Sequence, residues 1–198
     1  VVNTCGFINQ AKAESYAAIE TAMENEQQVV VTGCLGVERE ELLRRYPNLK
    51  FVSGPGNTVQ VVNAVKSLKG KSVDKLYNPA LVGRDSGNRV LLTPEHYAYL
   101  KIAEGCNHKC TFCIIPTMRG PLNSKTMGEL VEEAQALVEN GVKELLLIAQ
   151  DLGAYGLDRH YGDKRGSVSS HREDIFTLCK ELAGIAPWLR LHYVYPYP

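Results

Sequence analysis

Three closely spaced cysteines are the residues of this chain best suited to carry chemistry. Cys106, Cys110 and Cys113 stand in C-x3-C-x2-C spacing, with Phe112 directly before the third cysteine. Thiolates at such short separations converge on one metal centre, and three ligands from one loop can hold three irons of a four-iron, four-sulfur cluster. The fourth iron would then stay open to a substrate group. The spacing therefore predicts an iron–sulfur site with one exchangeable position.

A zinc site and a set of disulfides are the alternatives at these positions. A zinc loop usually offers four ligands, often as two C-x2-C pairs, and His108 would crowd the cysteines as a fourth ligand. Disulfides need an oxidising compartment. The chain has six cysteines, three of them clustered, which fits metal ligation in a reducing cytosol better than a disulfide framework. We therefore expect a cluster-binding protein of the cytoplasm.

The overall composition excludes several other classes of function. The 198 residues include 22 basic and 22 acidic side chains, so no global field favours nucleic acid or a membrane surface. No apolar run approaches the length of a membrane span, and no signal peptide is visible. The chain starts at Val1 and ends at Pro198 just after an apolar run, and we expect both ends to continue in a longer protein.

The first part of the chain alternates short apolar runs with amphipathic runs, which predicts an α/β fold with a parallel sheet. Strands are predicted over residues 1–4, 28–32 and 49–53, and helices over 11–25, 38–46 and from 58 onward. Cys5 and Cys34 each follow a strand, so both are expected at the carboxyl edge of the sheet, where ligands bind. From the residues alone, these cysteines are either small buried side chains or ligands of a shared metal centre.

The second part has the pattern of the beginning of a parallel (β/α) barrel. Strands are predicted over residues 97–102, 144–149 and 189–195, helices over 127–140 and 174–184, a linker over 70–95 and a surface excursion over 158–171. In such barrels the functional residues lie on the loops that follow the strands. The cysteine loop, Gln150 with Asp151, and residues 193–196 fall on that side. We place the domain division between residues 1–85 and 86–198.

Four stretches together carry a family resemblance. Residues 3–7, 31–35, 106–116 and 119–120 resemble, in order and spacing, the methylthiotransferase family of radical S-adenosylmethionine (radical SAM) enzymes. The resemblance implies a four-iron cluster on Cys106, Cys110 and Cys113 whose open iron chelates SAM, which one electron splits to give an adenosyl radical. It also implies a second, auxiliary four-iron cluster that delivers sulfur. Cys5 and Cys34 match two of its three ligands, and the third would lie upstream.

The same resemblance separates two branches of the family. One branch modifies an adenosine in transfer RNA, and the other an aspartate of a small-subunit ribosomal protein. Residues 150–156 and 189–196 resemble the ribosomal-protein branch, whereas the transfer RNA branch usually has a Thr-Ser-His-Pro-like run at 193–196. The implied partners are a small-subunit ribosomal protein and a flavodoxin-type reductant, with RNA contact through a C-terminal domain absent here and no membrane. The alternatives are the transfer RNA reaction and a non-catalytic metal-binding module.

Four further residues are candidates for cofactor contacts within this resemblance. The backbone around Phe112 would border the adenine of SAM, while Arg119, Gln150 and Arg190 are candidates for contacts to SAM or substrate. Phe112 could equally be core packing, and the other three could be ordinary surface or strand-end residues. No catalytic side chain is assigned, because the hydrogen of an unactivated substrate C–H bond must be abstracted by a cofactor radical. We expect the 198-residue chain alone to be inactive, because it lacks one auxiliary ligand and half of a barrel.

Overall fold

A computed structural model describes residues 1–25, 28–68, 91–160 and 173–195 of the protein. The chain divides into two compact units. The first unit comprises Val1–Arg84 together with Lys109–Gly120, and the second comprises Asp85–His108 and Pro121–Pro198. The domain division expected from the sequence, at residues 85 and 86, stays a prediction. Among the described residues, no helix is both long enough and apolar enough to cross a membrane.

The first unit contains a three-stranded parallel sheet whose strands follow the chain order. Its strands are β1 (Val2–Thr4), β2 (Val30–Gly33) and β3 (Phe51–Val52). Its helices are α1 (Asn9–Asn25), α2 (Arg39–Arg45), α3 (Thr58–Ser67) and α4 (Ile115–Arg119), and a 3-10 turn covers Cys34–Glu38. Ile19, Leu35 and Leu42 are fully buried in the core beside the sheet. Burying each such side chain stabilises the unit by roughly 1.5–3 kcal/mol relative to exposure.

The second unit contains a second parallel sheet and a short antiparallel ribbon. The sheet has the strand order β4 (Tyr97–Lys101), β7 (Glu144–Ile148), β8 (Trp188–Leu191), and the ribbon pairs β5 (Ala103–Glu104) with β6 (Asn123–Ser124). Its helices are α5 (Met127–Glu139), α6 (Leu157–His160) and α7 (Ile175–Ala183). Leu100, Leu145 and Leu147 from the sheet are fully buried with Leu130 of α5 and Leu178 of α7.

The two long helices of the second unit begin at side-chain caps. Thr126 accepts a hydrogen bond from the Glu129 backbone N–H, and the Glu129 carboxylate accepts one from the Thr126 backbone N–H, which completes a capping box. Asp174 accepts a hydrogen bond from the backbone N–H of Thr177 at the start of α7. These caps fix where each helix begins, and thereby the direction in which the preceding loop leaves the sheet.

The α/β class and the parallel sheets that the sequence predicted are confirmed. The strand predicted over residues 189–195 is shorter, because Leu191 pairs with Leu147 and β7 ends one residue later, at Ile148. The sequence did not predict α4 or the β5–β6 ribbon, which are too short to show a periodicity. Most of the predicted linker and of the predicted surface excursion lies outside the described residues, although 158–160 belong to α6.

Candidate metal centre

The cysteines offer a thiol donor set rather than a disulfide framework. All six lie in the described residues, and none of them forms a disulfide. Cys5 and Cys110 are exposed, whereas Cys34, Cys106 and Cys113 are half-buried. Iron is ligated by thiolates that it can reach, so this donor set fits an iron–sulfur cluster. Cys179 in α7 packs against the core of the second unit, and burial raises the pKa of its thiol, as expected of a structural cysteine.

The beginning of the cysteine loop is fixed by two side-chain amides of the second unit. Gly105 donates a backbone hydrogen bond of 2.8 Å to Oε1 of Gln150, which lies two residues after β7 at the carboxyl edge of the sheet. On the other side, Oδ1 of Asn107 accepts a hydrogen bond of 3.0 Å from the backbone N–H of Leu122. The loop therefore leaves β5 with its backbone held on both flanks of Cys106.

The buried carboxylate of Asp151 orients His108, a residue of the cysteine loop. Oδ2 of Asp151 lies 2.9 Å from Nε2 of His108, and only 6% of the Asp151 side chain is exposed. The backbone N–H of His108 donates to Sγ of Cys106 at 3.4 Å. One ligand atom each from Cys106, His108 and Asp151 can be chosen so that all three lie within 4.8 Å of one another. Asp151 thus holds His108, and His108 contacts the sulfur.

The sequence predicts Asp151 near the tip of a strand and assigns it no role. The available signal is a carboxylate shortly after a buried parallel strand, on the side where function is concentrated. What the sequence could not show was which residue of the cysteine loop this carboxylate meets. His108, which had been considered only as a crowded fourth ligand, is that partner.

The return strand of the loop is anchored by a second polar network of the same unit. Asp158 accepts two hydrogen bonds from Ser124, one from the backbone N–H at 2.9 Å and one from Oγ at 2.6 Å. Ser124 Oγ in turn accepts a hydrogen bond from the Gly156 N–H at 3.0 Å. The hydroxyl of fully buried Tyr155 donates to the carbonyl of Lys125, and burial raises the pKa of Tyr155. This network fixes β6, and β6 fixes β5 through the ribbon.

In the first unit, Cys5 and Cys34 follow β1 and β2 at the carboxyl edge of the sheet, where the sequence placed them. Buried Ser15 of α1 holds the backbone of Cys5 from both directions. Ser15 Oγ accepts from the Cys5 N–H at 2.9 Å and donates to the Cys5 carbonyl at 2.8 Å. The thiol itself stays exposed, so the contact orients the residue without covering its sulfur.

Close backbone approach fixes the segment around Cys34. Gly33 has a φ of 98°, and a Cβ there would stand 2.3 Å from the carbonyl oxygen of Thr4. A Cβ on Gly36 would stand 1.9 Å from the carbonyl oxygen of Ser53. Both distances are far below van der Waals contact, so only glycine fits at these two positions. The backbone that carries Cys34 is therefore packed directly against the ends of β1 and β3.

Arg119 contacts a cysteine sulfur within the first unit. Its Nη2 donates a hydrogen bond of 3.1 Å to Sγ of Cys34. The preceding residue, Met118, is buried, and its Cε would lie 2.9 Å from a Cβ added to Gly6. Helix α4 therefore sits on the two segments that bear Cys5 and Cys34. The contact of Arg119 to SAM or substrate that the sequence suggested stays a prediction.

The remaining candidates have surroundings that the sequence did not show. Phe112 is 92% exposed, so the core-packing alternative is wrong, while its contact to adenine stays a prediction. Arg190 of β8 forms an ion pair with Glu144, the first residue of β7, and so reaches toward the amino edge of the sheet. Gln150 holds the Gly105 N–H. Cofactor roles for Arg190 and Gln150 stay predictions.

Comparison with known proteins shows which families and relatives the chain resembles. Residues 100–194 match the radical SAM superfamily, and residues 1–54 match the uncharacterized protein family UPF0004. Over all 198 residues the chain is 49% identical to the ribosomal protein uS12 methylthiotransferase RimO of Methylorubrum extorquens (strain PA1). It is 48% identical to the protein of the same name from Pseudomonas fluorescens (strain Pf0-1). The chain is thus similar to these methylthiotransferases along its whole length. It covers 43% and 44% of those two relatives, less than half of their length.

A likeness to solved structures supports the fold of this chain. The radical SAM methyltransferase TsrM of Kitasatospora setae, solved with cobalamin and a [4Fe-4S] cluster, matches with a TM-score of 0.53 at 15% sequence identity. The match covers 77% of this chain and 37% of TsrM. A second TsrM structure, with tryptophan and a SAM analogue, gives a TM-score of 0.52 at 13% identity. At these identities the likeness shows the fold alone.

Proposed function

We propose that the protein containing this chain transfers a methylthio group to the β-carbon of an aspartate in ribosomal protein uS12. The observation that carries this proposal is the 48–49% identity, along the whole chain, to relatives named as uS12 methylthiotransferases. The competing substrate within the family is an adenosine of transfer RNA. The Tyr-Val-Tyr-Pro run at residues 193–196 favours the ribosomal protein, because the transfer RNA branch usually differs there.

Two iron–sulfur clusters and SAM are the proposed cofactors. Cys106, Cys110 and Cys113 would hold the first cluster, and Cys5 and Cys34 would join an upstream cysteine around the auxiliary cluster. The donor set supports both assignments, since all five cysteines are outside disulfides and none of them is fully buried. When bound, the first cluster supplies the electron that cleaves SAM to a carbon radical, chemistry that no side chain of the chain can perform.

The residues around Cys106 would orient its side chain and donate a hydrogen bond to its sulfur. Gln150 and Asn107 fix the loop backbone on either side of Cys106, and this restricts the directions in which its sulfur can point. The His108 N–H donates to that sulfur, and hydrogen bonds to ligand sulfurs are one of the factors that set cluster potential. Asp151 keeps His108 in place. Loss of a partner of this kind typically costs roughly 10–100-fold in metal affinity.

The two cysteines assigned to the auxiliary cluster, Cys5 and Cys34, suit a role that needs an accessible sulfur. Cys5 is exposed and is held only through its backbone, by Ser15. Cys34 is half-buried and is contacted by Arg119 from one side. A group that passes sulfur to a protein substrate must be reachable by a side chain as short as aspartate. Cys5 meets this requirement because it is exposed to solvent.

The direct test uses the full-length protein, reconstituted anaerobically with iron and sulfide. It is incubated with SAM, a low-potential reductant and either ribosomal protein uS12 within ribosomal particles or unmodified transfer RNA. Mass spectrometry should find one aspartate of uS12 with a methylthio group in place of a hydrogen. The transfer RNA should stay unchanged. Modification of the transfer RNA with unmodified uS12 would assign the protein to the other substrate.

One observation favours a second candidate function, a mononuclear metal-binding module. Cys106, His108 and Asp151 can place three ligand atoms within 4.8 Å of one another, as a zinc site would require. Iron counting and electron paramagnetic resonance of the reduced protein, with and without SAM, separate the two candidates. A signal that shifts on adding SAM supports the open-iron cluster. Stoichiometric zinc without any SAM-sensitive cluster would support the module instead.

A further inference from the structure

Helix α4 brings a permanent positive charge to the sulfur of Cys34 in the first unit. Arg119 is the last residue of α4, and its Nη2 lies 3.1 Å from Sγ of Cys34. The contact joins residues 85 positions apart in the chain. From the sequence, Arg119 is either a contact to SAM or substrate or an ordinary surface residue. The contact to a sulfur gives Arg119 a different partner, one that belongs to the proposed auxiliary cluster.

The position of the guanidinium is determined by the packing of α4. Met118 is 2% exposed, and the space that a Cβ on Gly6 would need is taken by the Met118 side chain. Gly120 ends the helix with a φ of 76°, and its N–H returns to the carbonyl of Pro116. Arg119 is thus held between a buried residue and a helix end. Its approach to Cys34 follows from α4 being seated on the segment next to Cys5.

A charged donor at a ligand sulfur has a definite electrostatic consequence. Arginine stays protonated at every pH at which the protein is folded, so its charge is constant. One-electron reduction of a cluster adds negative charge, which a nearby cation stabilises more than it stabilises the oxidised form. Hydrogen bonds to the sulfurs and net charge are among the factors that set cluster reduction potentials. A guanidinium on Cys34 therefore shifts the potential of a bound cluster upward.

We infer that Arg119 is a positioning residue for the auxiliary cluster, one that donates to the Cys34 sulfur in the cluster-bound protein and raises the cluster's reduction potential. The inference rests on the proposed function, since it needs a cluster on Cys5 and Cys34. Arg119 acts through the ligand sulfur rather than on substrate. Its contribution is to the electron affinity and the retention of the cluster.

The experiment isolates the auxiliary cluster in the full-length protein. Replacing Cys106, Cys110 and Cys113 together by alanine removes the first cluster, and reconstitution then loads only the second. In this background Arg119→Gln removes the charge and keeps a donor, while Arg119→Lys keeps the charge. Arg44→Gln is the matched control, because Arg44 is an exposed arginine of α2 in the same unit, paired with Glu41. Each variant is titrated with reductant while the cluster signal is followed by electron paramagnetic resonance.

The expected result is a lower midpoint potential for Arg119→Gln, with altered g-values, an intermediate potential for Arg119→Lys and no shift for Arg44→Gln. Loss of iron from Arg119→Gln but not from Arg119→Lys would also support the inference. A midpoint potential of Arg119→Gln equal to that of the parent overturns it, and so does loss of the cluster from both variants, since packing of α4 would then explain the effect. If the parent itself holds no cluster, the two-cluster proposal fails first and the inference falls with it.

Discussion

The two regions that carry the cysteines are held in place by different means. Around Cys106, polar side chains of the second unit reach the loop, with Gln150 on its backbone and Asp151 on His108. Around Cys34, the backbone itself is packed so closely that Gly33 and Gly36 leave no room for a Cβ. The first arrangement can be loosened one hydrogen bond at a time. The second can be disrupted by adding a single carbon atom.

Because of this difference, substitutions near Cys106 should affect metal binding, whereas substitutions near Cys34 should affect the stability of the fold. Removing a side-chain contact near Cys106 should weaken the hold on a metal while leaving the core of the second unit intact, since the core residues lie in the sheet and helices. Adding a methyl group near Cys34 should instead lower the free energy of unfolding, because the obstacle is the backbone of a neighbouring strand end. Four variants test this contrast.

The largest effect is expected for Cys106→Ala in the full-length protein. Loss of one of three thiolate ligands should abolish the SAM-responsive signal of the reduced protein, because three irons of the cluster need three ligands. Electron paramagnetic resonance with and without SAM measures this. Cys5→Ala should retain the SAM-responsive signal, and Cys179→Ala, at a core position, should retain both clusters. Persistence of the signal in Cys106→Ala would exclude Cys106 as a ligand.

A smaller but still large effect is expected for Asp151→Asn. The substitution keeps the shape of the side chain and removes the charge that holds His108, and losses of outer partners typically cost roughly 10–100-fold in metal affinity. Iron retention against a chelator measures the change. Glu181→Gln, at an exposed position of α7, is the control for loss of one negative charge. Equal iron retention in both variants would show that the contact to His108 contributes nothing to cluster binding.

Gly36→Ala and Gly128→Ala form a matched pair that tests the backbone contrast. A Cβ on Gly36 meets the Ser53 carbonyl, and overpacking of this kind costs about 1–3 kcal/mol of unfolding free energy. A Cβ on Gly128, in α5, meets nothing within 4 Å, so alanine there should stabilise the helix by up to about 1 kcal/mol. Hydrogen exchange during urea unfolding reports each unit separately. A Gly36→Ala protein as stable as the parent would contradict the close approach.

The smallest effect is expected for Thr126→Ala, which removes the cap of α5. Loss of an N-cap hydroxyl costs about 1 kcal/mol, and Thr126→Ser, which keeps the hydroxyl, should restore most of it. The single tryptophan, Trp188, lies in β8 of the second unit, so its fluorescence follows unfolding of that unit. A stability equal to that of the parent would show that the capping box contributes nothing measurable.

The sequence predicted the parallel sheets and the location of the cysteines because these depend on local patterns. Apolar runs such as residues 144–148 identify a buried strand wherever they occur, and residues that follow parallel strands share one edge of a sheet. The spacing of Cys106, Cys110 and Cys113 likewise carries its meaning within one loop. The domain boundary remains a prediction, and residues 109–120, which follow Cys106, group with the first unit.

The sequence did not predict the partners of polar side chains, because these depend on contacts between distant segments. Within the protein, Arg119 contacts the Cys34 sulfur and Arg190 pairs with Glu144 at the amino edge of the sheet, and neither contact was predicted. An arginine has a long side chain with several rotamers, so its position in the chain does not determine what it reaches. Asp158, which anchors Ser124, could not be assigned because the two residues are 34 positions apart in the chain.

By itself, the sequence determined the fold class and predicted the family resemblance and the thiols that could bind iron. Each of these follows from residue types at fixed spacing along the chain, and that spacing does not depend on contacts between distant segments. Only the tertiary structure decided that Asp151 supports His108, that Arg119 contacts the Cys34 sulfur and that Gly36 has no room for a side chain. Those facts depend on distances of a few ångströms between segments far apart in the chain, and packing of the whole unit sets such distances.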